Sequence, residues 1–248
     1  MLRVGRIPYL NCEPFFHRLE GARLVDLIPR VLGQAMAADE LDAGPLSLMD
    51  YVRLESRLVP LPYGIGCPTG ARSVLLFSDR PLAALGGARV GITGETSTSV
   101  ELLRVLLALR HEVAPAAWVG PDEPCDAVLL IGDQAIQRLT RGPVPAHVFD
   151  LGLEWRDWTG LPFVFARWAV AARVPAAERR AFERALDAAL DRGMEALPGI
   201  AASHRDLGWS AAEVASYLRN FAFRLGPDEE KGAAEFLRMR GQLGARAC

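Results

Sequence analysis

The chain opens with an apolar strand that ends in a polar turn, and this feature most limits the folds open to it. In residues 6–16, RIPYLNCEPFF, the strand leads into a turn that carries Tyr9, Asn11 and Glu13 and stops at Pro14. Open α/β proteins hold ligands at the carboxyl ends of such strands. The alternative is structural, with Asn11 bonding its own turn and Tyr9 packing in the core. This segment alone leaves both interpretations open.

Composition places the chain among ordinary globular proteins. It has 248 residues, of which 50% are hydrophobic and 23% are charged, so it can bury a core and form one or two domains. Its formal net charge is -2, and its Lys and Arg residues are scattered. Because no basic stripe that tracks a phosphate backbone is present, we expect no nucleic-acid partner.

The N-terminal residues and the cysteines bear on location and metal binding. Arg3, Arg6 and Pro8 interrupt the first apolar residues, and no later apolar run reaches spanning length, so we expect a cytoplasmic protein without signal peptide or membrane partner. The absence of a C-x-x-C pair and the isolation of each histidine predict free thiols and no metal site. The residues concerned are Cys12, Cys67, Cys125, Cys248, His17, His111, His147 and His204.

Strand and helix patterns alternate along much of the chain. Apolar patterning predicts a helix over residues 29–38 and a short strand to about Pro45, followed by a turn with Ser47 and a helix whose first turn contains Asp50. From about Pro175 onward the chain is predicted to be helical, with charged outer faces. Further strands are predicted over residues 2–8, 23–28, 72–78 and 88–93. This alternation indicates an α/β fold.

A run of hydroxyl residues marks the start of one predicted helix. After Gly94, which permits a tight turn, Thr96, Ser97, Thr98 and Ser99 precede an amphipathic helix. Free N–H groups and hydroxyls at a helix start favour a bound anion by roughly 0.3–2 kcal/mol from the helix dipole. The alternative is ordinary capping, which needs only one of the four. No Gly-Lys-Ser/Thr follows, so a carboxylate rather than a nucleotide phosphate is the expected anion.

A further strand end and an aromatic segment follow. The segment DAVLLIGDQAIQRL predicts a buried strand that ends at Gly132 and Asp133 and enters a helix. Asp133 caps this helix or faces a site, and we favour the cap, with Gly132 shaping the site. We expect most of the next aromatic side chains to pack in the core or between lobes. They are Phe149, Trp155, Trp158, Phe163, Phe165 and Trp168.

The order of these elements predicts one chain wound through two lobes. We assign residues 1–82 and 162–248 to the first lobe and residues 83–161 to the second, with a hinge at the two crossings. The prediction is therefore an α/β, two-lobed, periplasmic-binding-protein-like fold of the second type. Such folds clamp a small acid between strand-end and helix-start donors.

Six segments, in this order, resemble one family over nearly the whole chain. They are RIPYLNCEPFF, ELDAGPLSLMDY, RSVLLFS, TSTSVELLRVLL, LLIGDQAI and DLGLEWRDWTGLPFVFARW. The family is that of menaquinone biosynthesis proteins similar to the chorismate dehydratase of the futalosine route. The YLN and EWxxWTGLPFVFAxW elements are its most specific motifs. A sister family, 1,4-dihydroxy-6-naphthoate synthase, opens with a Ser-Pro-Cys-Pro-Asn-Asp type of segment that this chain lacks.

The resemblance implies a hydro-lyase that converts chorismate to 3-[(1-carboxyvinyl)oxy]benzoate with no cofactor. Hydroxyl and amide donors suit the negative charge that develops in this reaction, so we expect Asn11 and Ser73 to be catalytic. The expected substrate-binding residues are Tyr9, Ser47, Thr96, Ser97, Thr98, Ser99, Gly132 and Phe163. The base stays open between Glu13, Asp50, Asp133 and the enolpyruvyl carboxylate of the substrate itself.

Other functions stay open at this point. The two-lobed fold also suits a solute-binding protein, although an export signal is not evident, or a ligand-sensing module, although no helix-turn-helix segment is appended. The sister synthase would take a larger, nucleoside-derived substrate. We expect a monomer or a homodimer.

Overall fold

The computed structural model describes residues 1–246, which form a mixed α/β protein with two sheets. The strands are β1 Leu2–Arg6, β2 Ala22–Asp26, β3 Ala43–Ser47, β4 Leu58–Cys67, β5 Val74–Ser78, β6 Arg89–Ile92, β7 Ala117–Val119, β8 Ala127–Ile131, β9 His147–Asp150, β10 Phe163–Ala171 and β11 Ala222–Arg224. The α-helices are α1 Glu13–Phe16, α2 Pro29–Ala37, α3 Leu48–Leu54, α4 Thr98–Val105, α5 Gly132–Arg141, α6 Leu151–Thr159, α7 Ala176–Glu195, α8 Leu197–Ser203, α9 Ala211–Arg219 and α10 Pro227–Arg246.

The first sheet, which we call sheet A, has six strands in the order β11-β4-β10-β3-β1-β2. β1 pairs in parallel with β2 and β3, as expected for strands joined by helical crossovers. β10 runs antiparallel to both β3 and β4, and β11 runs antiparallel to β4. The chain therefore begins sheet A, leaves it after β4 and returns to its centre with β10.

The second sheet, sheet B, has five strands in the order β7-β6-β8-β5-β9. β6 pairs in parallel with β7 and β8, whereas β5 runs antiparallel to β8 and β9. Every residue of β5 is buried, in keeping with its VLLFS sequence and its place between two strands.

The strand β5 corrects the predicted lobe boundary. The division at residue 82 assigns Val74–Ser78 to the first lobe, but these residues pair with β8 and β9 in sheet B. The first crossing from sheet A to sheet B therefore lies between Cys67 and Val74. A local apolar pattern cannot show which sheet a strand joins, because pairing depends on distant strands.

Two other local features differ from the sequence-based expectation. No strand was predicted over Leu58–Cys67, where prolines at 60 and 62 weaken the pattern, yet β4 pairs with β10 along its length. β3 continues past Pro45 to Ser47, so Ser47 is both the end of a strand and the N-cap of α3.

Cys12, Cys67 and Cys125 are free thiols, and Cys248 lies outside the described residues.

The Asp150 side chain fastens the crossing segment to the start of α6. Its Oδ1 atom accepts hydrogen bonds from the backbone N–H groups of Ala71 and Gly152, each at 2.9 Å, and Oδ2 accepts one from Arg72 at 2.6 Å. Arg72 has φ of 57°, in the left-handed region that non-glycine residues rarely adopt. One carboxylate thus stabilises both a helix N-terminus and a strained backbone position.

We expect Asp150→Ala to lower the free energy of unfolding by about 1–3 kcal/mol, because buried N–H groups lose their acceptor. Urea titration of the purified protein measures this change. Asp157→Ala, on the exposed side of the same helix, is the control and should change stability little. Equal stability of the two variants would show that Asp150 does not fasten the crossing segment.

Candidate functional site

A cleft of about 570 Å³, partly open to solvent, lies between the two sheets where several strands end and helices begin. It is lined by Ile7, Tyr9, Asn11, Cys12, Pro29, Ser47, Ile65, Ser73, Val74, Thr96, Ser97, Thr98, Ser99, Ile131, Gly132, Phe165, Ala166 and Phe221.

All but one of the predicted site residues line this cleft. Those brought together are Tyr9, Asn11, Ser47, Ser73, Thr96, Ser97, Thr98, Ser99 and Gly132. Strands β1, β3 and β8 and the crossing before β5 all end here, so distant segments of the chain meet at one place. Their roles toward a ligand stay predictions.

The Phe163 prediction is corrected by the structure. Its side chain is fully buried among the rings of Trp155 and Phe236, at centroid distances of 5.6 and 5.0 Å, and it does not line the cleft. Phe165 lines the cleft instead. It is the extra residue of a β-bulge, because Val164 and Ala166 pair with the adjacent Gly66 and Ile65. Bulges of this kind redirect side chains, often beside functional sites.

The apolar part of the cleft wall was not predicted. It consists of Ile7, Ile65, Val74, Ile131, Phe165 and Phe221, drawn from both sheets and the C-terminal region. In the sequence these residues look like ordinary core residues. Only the pairing of distant strands assigns them to the cleft, so no local signal could have identified them.

The hydroxyl residues before α4 have different tasks. Thr96 Oγ1 accepts the backbone N–H of Ser99 at 3.0 Å, so Thr96 performs the capping role. Thr98 Oγ1 accepts the N–H of Met49 at 3.1 Å and so joins α4 to α3 across the cleft. Ser97 and Ser99, whose hydroxyls have no protein partner among the described residues, are the two free to meet a ligand.

Asn11 and Ser73 present an amide and a hydroxyl to the cleft. The Oδ1 atom of Asn11 is buried and has no hydrogen-bond partner within the described chain, which is costly unless a ligand supplies one. Ser73 is 1% exposed, and its Oγ accepts the hydroxyl of Tyr217 at 2.7 Å. Because Tyr217 donates to Ser73, the Ser73 proton is directed to another acceptor, which is the Ala71 carbonyl at 3.3 Å.

Two of the predicted acids have protein partners and are not among the described residues that line the cleft. Asp50 accepts the Ser47 hydroxyl at 2.7 Å and pairs with Arg53 at 2.8 Å. Asp133 accepts the backbone N–H of Leu10 at 3.0 Å rather than capping α5, which corrects the favoured cap. Burial raises the pKa of the Asp133 carboxyl, and the Leu10 bond opposes this shift.

The Tyr9 side chain spans the cleft. Its ring lies against Gly132, where a Cβ atom would approach Tyr9 Cδ2 to 2.6 Å and where φ is +58°. Its hydroxyl donates to the Glu95 carboxylate, and Gln134 Nε2 donates to the other oxygen of that carboxylate at 2.6 Å. Burial, followed by the charge of Asp133, raises the pKa of Glu95. Glu95 was not predicted, because only the fold brings it to Tyr9.

No group of three or more His, Cys, Asp or Glu side chains among the described residues is arranged to hold a metal ion. Of the helices described, none has both the length and the apolar character needed to cross a membrane.

The two sheets and the cleft between them define a periplasmic-binding-protein-like fold, and solved structures agree. A protein of Archaeoglobus fulgidus has TM-score 0.77 and 17% identity, with 98% of each chain covered. The periplasmic aliphatic sulphonate binding protein of Escherichia coli has TM-score 0.63 and 17% identity over 99% of this chain and 87% of its own. At these identities the likeness concerns the fold alone, and it confirms the predicted fold class.

Sequence comparison identifies the family. The menaquinone biosynthesis family model matches residues 2–242. The chorismate dehydratase of Thermus thermophilus is 32% identical over 267 aligned positions, which cover 96% of this chain and 94% of that protein. The chain belongs to the menaquinone biosynthesis family, as its motifs predicted.

We expect Gly132→Ala to displace the Tyr9 ring and to strain the backbone, because the added Cβ meets the ring and φ is positive. The free energy of unfolding should fall by about 1–3 kcal/mol. Gly94→Ala, where a Cβ has nothing within 4 Å and φ is not in the left-handed region, is the control. Thermal unfolding of both variants tests this, and equal melting temperatures would contradict it.

Proposed function

We propose that this protein is a chorismate dehydratase, a hydro-lyase that forms 3-[(1-carboxyvinyl)oxy]benzoate for menaquinone biosynthesis. The similarity to the Thermus thermophilus enzyme over nearly the full length of both chains carries the proposal. The cleft combines an apolar wall with hydroxyl and amide donors. We further propose that no cofactor takes part, that the enzyme is cytoplasmic, and that chorismate is its partner.

The chemistry favours neutral donors. The ring carboxylate of chorismate activates the C3–H bond through the C1=C2 double bond, so loss of this proton places negative charge on that carboxylate. Expulsion of the C4 hydroxyl then forms the third ring double bond, and the proton and hydroxide leave as water. Aromaticity drives the reaction, so the protein has to stabilise developing charge and orient the proton acceptor.

Asn11, Ser73 and the free hydroxyls of Ser97 and Ser99 are the proposed donors to the substrate. Asn11 would donate through its Nδ2 amide group. Ser73, whose oxygen accepts the Tyr217 hydroxyl, would donate by turning its proton from the Ala71 carbonyl to the substrate. Preorganised donors at developing negative charge are worth on the order of 10²–10³ in rate each. The apolar side chains opposite them, Ile65 and Phe165 among them, suit the substrate ring.

We propose that the enolpyruvyl carboxylate of the substrate removes the C3 proton. Asp50 and Asp133 have protein partners, and neither they nor Glu13 are among the described residues that line the cleft. The enolpyruvyl group is attached at C3 itself, so holding it in one conformation provides high effective concentration. The enolpyruvic acid then donates this proton to the departing C4 hydroxyl, which leaves as water and carries the proton to solvent.

A binding protein without catalysis is the second candidate. The likeness in fold to sulphonate-binding proteins favours it, since their fold is the same and no cleft residue that the structure describes is an unambiguous base. The sister synthase would use the same fold for a larger cyclic substrate. Measuring which substrate the protein converts, if any, distinguishes the dehydratase, the binding protein and the sister synthase.

We expect purified protein, with chelator and without added cofactor, to convert chorismate to an aromatic product. Ultraviolet absorbance and mass follow the product, and deuterium placed at ring C3 should pass to solvent. Chorismate binding without turnover would support the binding protein, and cyclisation of the dehypoxanthine futalosine product would support the sister synthase.

Asn11→Ala and Ser73→Ala should each lower kcat/KM by about 1.5–4 kcal/mol equivalent, because each removes a donor that acts in the transition state. Steady-state kinetics on variants with intact circular dichroism measure this. Ser78→Ala removes a buried hydroxyl outside the cleft, one that donates to the Arg80 carbonyl at 2.8 Å, and should leave kcat/KM unchanged. Near wild-type turnover of Asn11→Ala or Ser73→Ala would remove that residue from the catalytic set.

A further inference from the structure

Tyr9 and Glu95 form a bridge between the two sides of the cleft. Tyr9 follows β1 of sheet A, whereas Glu95 lies between β6 of sheet B and α4. The carboxylate accepts the Tyr9 hydroxyl with one oxygen and the Gln134 amide with the other, and Thr93 donates to Gln134 Oε1 at 3.2 Å. Glu95 thus receives one donor from each side of the cleft.

Three further hydrogen bonds cross the cleft, each with a backbone N–H donor on the same side. The N–H groups of Leu10, Arg30 and Met49, all on the sheet A side, donate to acceptors on the sheet B side. These acceptors are the Asp133 carboxylate at 3.0 Å, the Glu95 carbonyl at 3.3 Å and the Thr98 hydroxyl at 3.1 Å. These bonds hold the two sides of the cleft together in the described structure, and Glu95 takes part in two of the four named here.

We propose that the bond between Tyr9 and Glu95 is a latch that holds the cleft closed over the substrate, so that its opening limits product release. This inference rests on the proposed function. Glu95 is then a positioning residue: both of its oxygens already have protein donors, and its side chain is not part of the cleft lining described. A charge-assisted bond of this kind is stronger than a neutral one and can be broken without unfolding either sheet.

The first experiment needs no turnover. We expect Tyr9→Phe and Glu95→Ala to raise amide hydrogen exchange at Leu10, Arg30 and Met49 by about tenfold in ligand-free protein, because the loss of one charge-assisted bond favours opening. Exchange at Leu76 inside β5 should not change. Glu95→Gln retains a neutral hydrogen bond to Tyr9 and should restore part of the protection. Unchanged exchange at all three amides in Tyr9→Phe would overturn the latch.

The second experiment separates release from chemistry. Stopped-flow measurement should show 3-[(1-carboxyvinyl)oxy]benzoate leaving Tyr9→Phe about tenfold faster than wild type, whereas the single-turnover rate falls less. Tyr51→Phe, which removes a phenol outside the cleft lining, is the matched control. A fall in the single-turnover rate with unchanged product dissociation would overturn the latch. If wild type does not convert chorismate, the proposed function fails, and the exchange experiment still decides whether the latch exists.

Discussion

The antiparallel pairing of β4 with β10 is the constraint on which the rest of the structure depends. Cys67, the last residue of β4, pairs with Phe163, the first residue of β10. All of sheet B is built from the chain between these two paired residues. The cost of closing such a long loop grows only slowly with its length. The pairing therefore brings both crossings to one place, and the cleft opens beside them.

The absence of basic side chains from the described cleft lining fits the proposed reaction. The described lining contains no Lys or Arg, although the proposed substrate carries two carboxylates. A fixed cation would stabilise the carboxylates of bound substrate and of the transition state alike, and such uniform binding does not raise kcat. Hydroxyls and an amide at helix starts give directed bonds instead. These can be aimed at the ring carboxylate, where charge increases during proton loss.

Features with a local cause were predictable, and features set by distant pairing were not. One cap was expected among the hydroxyls of residues 96–99, and Thr96 accepts the Ser99 N–H in that role, whereas the cap favoured for Asp133 is absent because its carboxylate accepts the N–H of distant Leu10. Gly132 has the positive φ that a strand-to-helix turn often requires. By contrast, Phe165 reaches the cleft through a bulge whose existence depends on the register of β4 with β10. Glu95 could not be identified as a site residue from its local sequence, because its partner Tyr9 is distant in sequence.

The contacts of the crossing segment also position groups that the proposed reaction uses. Asp150 holds the N–H groups of Ala71 and Arg72, and the next residue is Ser73, whose carbonyl accepts the N–H of Gly132 at 2.7 Å. Gly132 in turn supports the Tyr9 ring. One chain of contacts therefore joins the crossing segment, the Ser73 hydroxyl and the bridge to Glu95. Because the Tyr9 ring rests on Gly132 and its hydroxyl meets Glu95, we propose that opening of the cleft separates the donor that follows β1 from the donors on the sheet B side, so that the full set meets a substrate only when the cleft is closed.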